Sequence, residues 1–283
     1  GGTVTQNTDS ANPLVITGAT AITGTDITLN NTENNFGTAV GVTTTGSDVI
    51  LVDEGAIVLG ESTVTGFYRV TAGGAVTQFS GTKLTITGAT TINAGANAVT
   101  LENTSNDFSK TVDGTLGGAV GITGTAVSII DTNDLVLGTT TTTGNYTVVA
   151  GGGITDSGTL TIGDNAAVDA ATFTAGDGES IILDQVSSEL PVHNFLAALT
   201  FAAPSGETLN DLTVKSISSV GLAALTLAGN LSIQAGEVTQ SGAWVVPGTT
   251  TITASSSNIN LDNTSNNFTG AVSVTGENVT LVD

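Results

Sequence analysis

Residues 27–36 read ITLNNTENNF, residues 99–108 read VTLENTSNDF and residues 259–268 read INLDNTSNNF. A ten-residue match occurring three times decides the fold, because internal repetition on this scale is the signature of a stacked-repeat architecture. The first two copies start 72 residues apart and the second and third 160 apart, twice a period of 80, so a further copy is expected near 181. There Ile181 opens IILDQ, diverges, and reaches Asn194-Phe195 only after an insertion.

Outward from this stretch, other pieces recur in the same order. GSDVILVD (46–53) returns as GENVTLVD (276–283), with VSIID (127–131) in the same slot, and AIVLG (56–60) returns as DLVLG (134–138). TAGGAVTQ (71–78) is matched by GGTVTQ (1–6), VAGGGITD (149–156) and QAGEVTQS (234–241), and LTITGAT (84–90) by LVITGAT (14–20). Units therefore begin near 27, 99, 181 and 259, and the stretch 184–215 is an irregular, decorated part of the third. The chain opens at Gly1, lacks Met, and starts and stops inside a unit. It is expected to be part of a longer array.

Within a unit the apolar period is two. Val49-Ile50-Leu51-Val52, Ile57-Val58-Leu59 and Leu84-Thr85-Ile86 are short runs bounded by Gly, Asn or Asp, as half-buried strands require. The best helix candidate is 194–203. Near-copies that follow one another without linkers disfavour a sandwich, and the Trp-Asp and Gly-His signatures of propeller blades are missing. The pattern predicts an all-β fold, a right-handed parallel β-helix (β-solenoid) of about 20 residues per coil and about four coils per 80-residue unit, running as one solenoid over 1–283.

Composition agrees with a narrow coil. Of 283 residues 37 are Gly, against 8 Phe, 2 Tyr and 1 Trp, and only 10% are charged, where a soluble domain carries roughly 25%. Twenty-five acids against four bases give a net charge of −21. Arg69, Lys83, Lys110 and Lys215 are too scattered to bind nucleic acid or an anionic membrane. No apolar run approaches the roughly 18 residues of a membrane span, so no membrane insertion is expected in this segment. Without Cys there is no disulfide, thiolate metal site or cysteine nucleophile.

The recurrent residues are the candidates for a role. Asn31, Asn103 and Asn263 share one position and Asn34, Asn106 and Asn266 another, with Phe36, Phe108 and Phe268 two residues on. Asn tolerates left-handed backbone and satisfies turns, so these are read as structural corners above core phenylalanines. Replacing Asn103 is expected to cost about 1–3 kcal/mol. Asp53, Asp131 and Asp283 also coincide. They fit neither an EF-hand nor a GGxGxD calcium roll, and are read as solubilising charge. The richest oxygen cluster, Asp131-Thr132-Asn133-Asp134, is read as a turn. No catalytic residue, metal or cofactor is expected. The single histidine, His193, falls in a slot that the other copies leave empty on this reading, and four scattered bases cannot build a catalytic face. Tyr68, Arg69 and His193 are candidate surface contacts, strand alternation turning either Tyr68 or the Phe67/Arg69 pair outward. The stretch 184–215 is a candidate surface protrusion.

The succession N-x-x-N-x-F, V-x-LVD, LxLG, A-GG-x-V-T-Q, LTITGAT resembles the central repeats of large bacterial secreted exoproteins of the filamentous-haemagglutinin type. The resemblance covers nearly the whole chain, 184–215 fitting least. It implies a right-handed parallel β-helix exported by two-partner secretion and forming a fibre at the bacterial cell surface or in the biofilm matrix. The expected role is a stiff structural rod in adhesion, with like chains end-to-end or laterally, extracellular polysaccharide, or a host or neighbouring cell surface as partners. The alternatives are a polysaccharide-acting β-helix enzyme and a Thr-rich ice-binding solenoid, the latter suggested by Thr139–Thr143.

Overall fold

The computed structural model describes residues 1–6, 12–109, 117–165, 169–187, 190–254 and 256–283. The described residues contain strands, turns and no helix; the helix candidate at 194–203 is two strands, Asn194–Phe195 and Ala198–Ala202. The chain divides into two compact units, Gly1–Thr143 and Gly144–Asp283, and each is a β-solenoid of stacked parallel strands.

In the first unit one sheet runs through Val4–Thr5, Ile27–Leu29, Val49–Asp53, Tyr68–Ala72, Thr90–Asn93 and Val120–Gly124. A second runs through Thr20–Gly24, Ala39–Thr44, Ile57–Leu59, Val76–Gln78, Val99–Leu101 and Val127–Asp131. Register in the first sheet joins Val4 to Ile27, Ile27 to Val49, Val49 to Tyr68 and Tyr68 to Thr90, so a regular coil takes 19 to 23 residues. The step from Thr90 to Val120 is longer and contains the undescribed residues 110–116, among them Lys110.

Alternation decides what each strand buries. Val49, Leu51 and Asp53 point inward while Ile50 and Val52 are half-buried. Inward residues stack coil upon coil: Leu29, Leu51, Val70, Ile92 and Ile122 are in direct register and all are buried. Each such side chain contributes about 1.5–3 kcal/mol on burial, and the ladder fixes register, since a one-residue slip would turn every member outward.

The repeat is not a whole number of coils. Three coils lead from Ile27 to Thr90, and Val99 belongs to the next strand, in the other sheet. Likewise Val49–Asp53 lies in the first sheet and its copy Val127–Asp131 in the second, while Ala39–Thr44 and Val120–Gly124 are exchanged the other way. The expected four coils per unit are thus three and a fraction: from Val49 the chain makes three circuits, through Tyr68 and Thr90 to Val120, and crosses to the other sheet at Val127. In the first unit the corners at Asn34 and Asn106 therefore follow strands of different sheets.

One bulge recurs with the repeat. The strand Ala39–Thr44 pairs with two short strands, Ile57–Leu59 and Ser62–Val64, separated by Gly60-Glu61. Val120–Gly124 pairs in the same way with Leu135–Leu137 and Thr140–Thr142. At the break a hydroxyl fills the ladder: Val42 N donates to Ser62 Oγ at 3.2 Å and Ile122 N to Thr140 Oγ1 at 3.2 Å. Gly41 is required here, since a Cβ would lie 2.6 Å from Glu61 O.

The second unit repeats the scheme. Ile181, Leu212 and Leu231 are in register in one sheet, and Val220, Val238 and Ile259 in the other. The coil from Ile181 to Leu212 is the longest and carries a small antiparallel hairpin, Val186–Ser187 with Leu190–Pro191. Much of 184–215 builds core rather than protruding: His193, Phe195 and Phe201 are buried, and Phe173 stacks on Phe201 with centroids 5.4 Å apart.

Candidate functional site

The recurrent polar residues meet at one corner in each copy, and the corner spans three coils. In the copy at 99–108, Gln78 from the preceding coil faces Asn106. Gln78 Nε2 donates to Asn106 Oδ1 at 2.7 Å and Asn106 Nδ2 donates back to Gln78 Oε1 at 3.0 Å. The pairs Gln6–Asn34 (2.6 and 2.8 Å) and Gln240–Asn266 (2.8 and 2.9 Å) repeat this reciprocal arrangement. The same Asn oxygen accepts the backbone N–H of Leu14, Leu84 or Trp244 at 2.8–2.9 Å. A carboxamide is suited to this point because it donates and accepts at once.

Asn31, Asn103 and Asn263 do a smaller task. Their side-chain oxygens accept from the N–H two residues ahead, in Glu33, Ser105 and Ser265, at 2.8–2.9 Å. This closes the turn. Phe36, Phe108 and Phe268 are buried beneath it.

The third member comes from the following coil. Asp53 Oδ2 accepts Phe36 N at 2.7 Å and Asp131 Oδ2 accepts Phe108 N at 2.8 Å, while Asp283 Oδ1 accepts Phe268 N at 2.8 Å. Asp53 and Asp131 are buried, which corrects their reading as solubilising charge: they satisfy an orphan amide that the tight turn leaves inside. Burial pushes the Asp131 carboxyl up to about 8, against the lowering hydrogen bonds of Asn133 and Phe108, and nearby Asp107 adds to the rise. Asp107 stands where the other copies have Asn35 and Asn267.

The divergent copy rebuilds the corner with other groups. His193 precedes Asn194-Phe195 as Asn106 precedes Asp107-Phe108, and Leu160 N donates to His193 Nδ1 at 3.0 Å as Leu84 N does to Asn106. Asp156 takes the place of Gln: its carboxylate lies 3.3 Å from His193 Nε2, a charge-pair distance without hydrogen-bond alignment, and accepts Asp184 N at 2.7 Å. Ser218 Oγ replaces the Asp, accepting Phe195 N at 3.0 Å.

A family model described as repeats of unknown function (DUF5649) matches residues 1–43, 46–115, 124–202 and 209–275. The chain belongs to this family. No curated protein and no solved structure matches it. The four matched segments each carry one of the corners just described, Asn34, Asn106, His193 or Asn266.

Two of the three candidate surface contacts are not at the surface. Tyr68 and His193 are fully buried. Tyr68 stands in register between Val49 and Thr90, so its strand turns Arg69 outward, with the guanidinium 5.4 Å from the centroid of the Phe67 ring. His193 is a corner residue in a slot that Asn34, Asn106 and Asn266 fill elsewhere, which corrects the reading of that slot as empty. Among the described residues no three His, Asp or Glu side chains gather as a metal would require. Sequence reasoning missed the Gln residues of the VTQ motif, although their recurrence 26 to 28 residues before each Asn was visible.

Proposed function

We propose that the chain is a structural rod segment of a bacterial surface or biofilm-matrix adhesin, a stiff fibrous spacer that is secreted and mediates attachment or aggregation. Its partners are like chains along a fibre and extracellular polysaccharide or a neighbouring cell surface. The observation that carries this reading is the corner itself. The most strongly recurrent polar residues, Gln78, Asn106 and Asp131 and their equivalents, are all consumed in joining three successive coils. A residue set selected for stacking serves mechanical continuity, as repeat arrays do when neighbour contacts supply their stability. The motif resemblance to filamentous-haemagglutinin-type exoproteins supports the cell-surface placement. Immunogold labelling of intact source cells with antibodies to this segment tests it. Gold along projecting fibres or matrix is expected; label confined to the cell interior would overturn it.

A further inference from the structure

A cleft of about 400 Å3 lies in the first unit between the turn 79–83 and the corner of the next coil. Phe79 forms one side of it. Among the described residues this is the one aromatic ring that is largely exposed, at 54%, whereas Trp244, Tyr68, Tyr146 and Phe108 are buried. The repeat does not need this ring. Three residues join Asp156 to Leu160 and Gln240 to Trp244, but five, FSGTK, join the equivalent Gln78 to Leu84, and seven join Gln6 to Leu14. The lengthened turn gives the corner a carbonyl, Thr82 O for Gln78 Nε2 as Gly242 O for Gln240 Nε2, but the ring itself is left out of the core, and an exposed ring is unfavourable in water.

The turn that carries the ring is held firmly. Phe79 N donates to Leu59 O at 2.8 Å, Thr82 Oγ1 to Phe79 O at 2.7 Å and Gln78 Nε2 to Thr82 O at 2.7 Å. Gly81 supplies the positive φ of 80° that closes it. The backbone that carries the ring therefore has little entropy left to lose on binding. The opposite wall is polar. Thr77 and Thr100 are register partners on adjacent strands, and Glu102, Asn103 and Thr104 continue the wall around the corner. Glu102 uses Oε1 to accept Ser128 Oγ at 2.6 Å, and no hydrogen bond among the described residues engages its Oε2 or the Nδ2 of Asn103.

We propose that this cleft binds a neutral carbohydrate, a pyranose ring laid by its C–H face on Phe79 with its hydroxyls bonded to Glu102, Asn103 and the threonine hydroxyls. An aromatic platform beside convergent donors and acceptors fits a ring that is apolar on one face and polar at its rim. The Glu102 carboxylate and the chain's net charge of −21 disfavour an acidic glycan. The inference stands on this cleft alone and does not require the rod reading.

Isothermal titration of the whole chain with cellohexaose, mannohexaose, chitohexaose and laminarihexaose, beside polygalacturonate as an acidic probe, tests it. Binding of at least one neutral hexasaccharide is expected, weakened about tenfold or more in Phe79→Ala and also in Glu102→Gln, with unchanged melting temperature because both side chains are exposed. The proposal is overturned by no binding of any neutral probe, by equal binding in Phe79→Ala, or by preference for polygalacturonate.

Discussion

The corner at Asn106 and the corner at His193 do the same work with different chemistry. Each offers an acceptor to a strand N–H of an adjacent coil, Leu84 in one and Leu160 in the other, and each faces a polar partner from the coil before, Gln78 or Asp156. In the first the pair is two carboxamides, whose two hydrogen bonds are complementary and carry no charge. In the second it is a carboxylate against an imidazole, both fully buried. Because Leu160 N–H points at Nδ1, the ring hydrogen belongs on Nε2, toward Asp156. What the fold requires at this point is an acceptor and a matching neighbour; the residue type is exchangeable if both needs are met.

Breaking the carboxamide corner should have the largest effect. Asn106→Leu strands the Leu84 amide and the Gln78 side chain inside the coil, each costing about 1–3 kcal/mol, so urea unfolding of the first unit should show a loss of about 3 kcal/mol. A loss under about 1 kcal/mol would mean that water or local rearrangement serves these groups instead. His193→Ala should behave similarly in the second unit.

Converting one corner into the other sharpens the comparison. The double change Asp156→Gln with His193→Asn replaces a buried carboxylate–imidazole pair by the carboxamide pair of the other copies. It should raise stability by about 1–2 kcal/mol, since desolvation of buried charge offsets much of its attraction. A destabilised double variant would show that the divergent corner is adapted to its own groups.

A smaller effect separates the copies by pH. The Asp131 carboxyl is held at about 8 in the folded chain, above the roughly 3.9 of an unfolded Asp. The folded state then binds the proton more tightly, so stability falls as pH rises from about 4 through about 8. Asp107→Asn removes the neighbouring charge and restores what Asn35 and Asn267 provide in the other copies. It should lessen this fall, by about 0.5 kcal/mol at pH 8 with little change at pH 4. Thermal melts across that range read the difference. An effect of comparable size belongs to Asn103→Ala, about 0.5–1 kcal/mol, since its side chain closes only a half-buried turn.

The fold was legible because its signals are local and repeated: β-branched runs such as Val49–Val52, glycine punctuation, and a ten-residue match occurring three times. The fraction of a coil in each repeat was not, because coil length depends on how corners close and not on composition. The sequence also marked Asn106 and Phe108 as corner and core. It concealed the inward turn of Asp53 and Asp131, since an acid two residues from a turn reads equally well as exposed. His193 escaped because its equivalence to Asn106 lies in a shared hydrogen-bond donor, Leu160 for Leu84, which appears only when strands are stacked. Phe79 escaped because a single aromatic in an insertion has no periodicity.

Paired carboxamides join the coils, and a double-mutant cycle on Gln78 and Asn106 measures that joint directly. Unfolding free energies of Gln78→Leu, Asn106→Leu and the double variant give the coupling between the two side chains. The joint predicts a coupling of about 1 kcal/mol or more, the double variant losing much less than the sum of the single ones. Losses that add within about 0.3–0.5 kcal/mol would contradict it, showing that the two amides share a corner without holding the coils together.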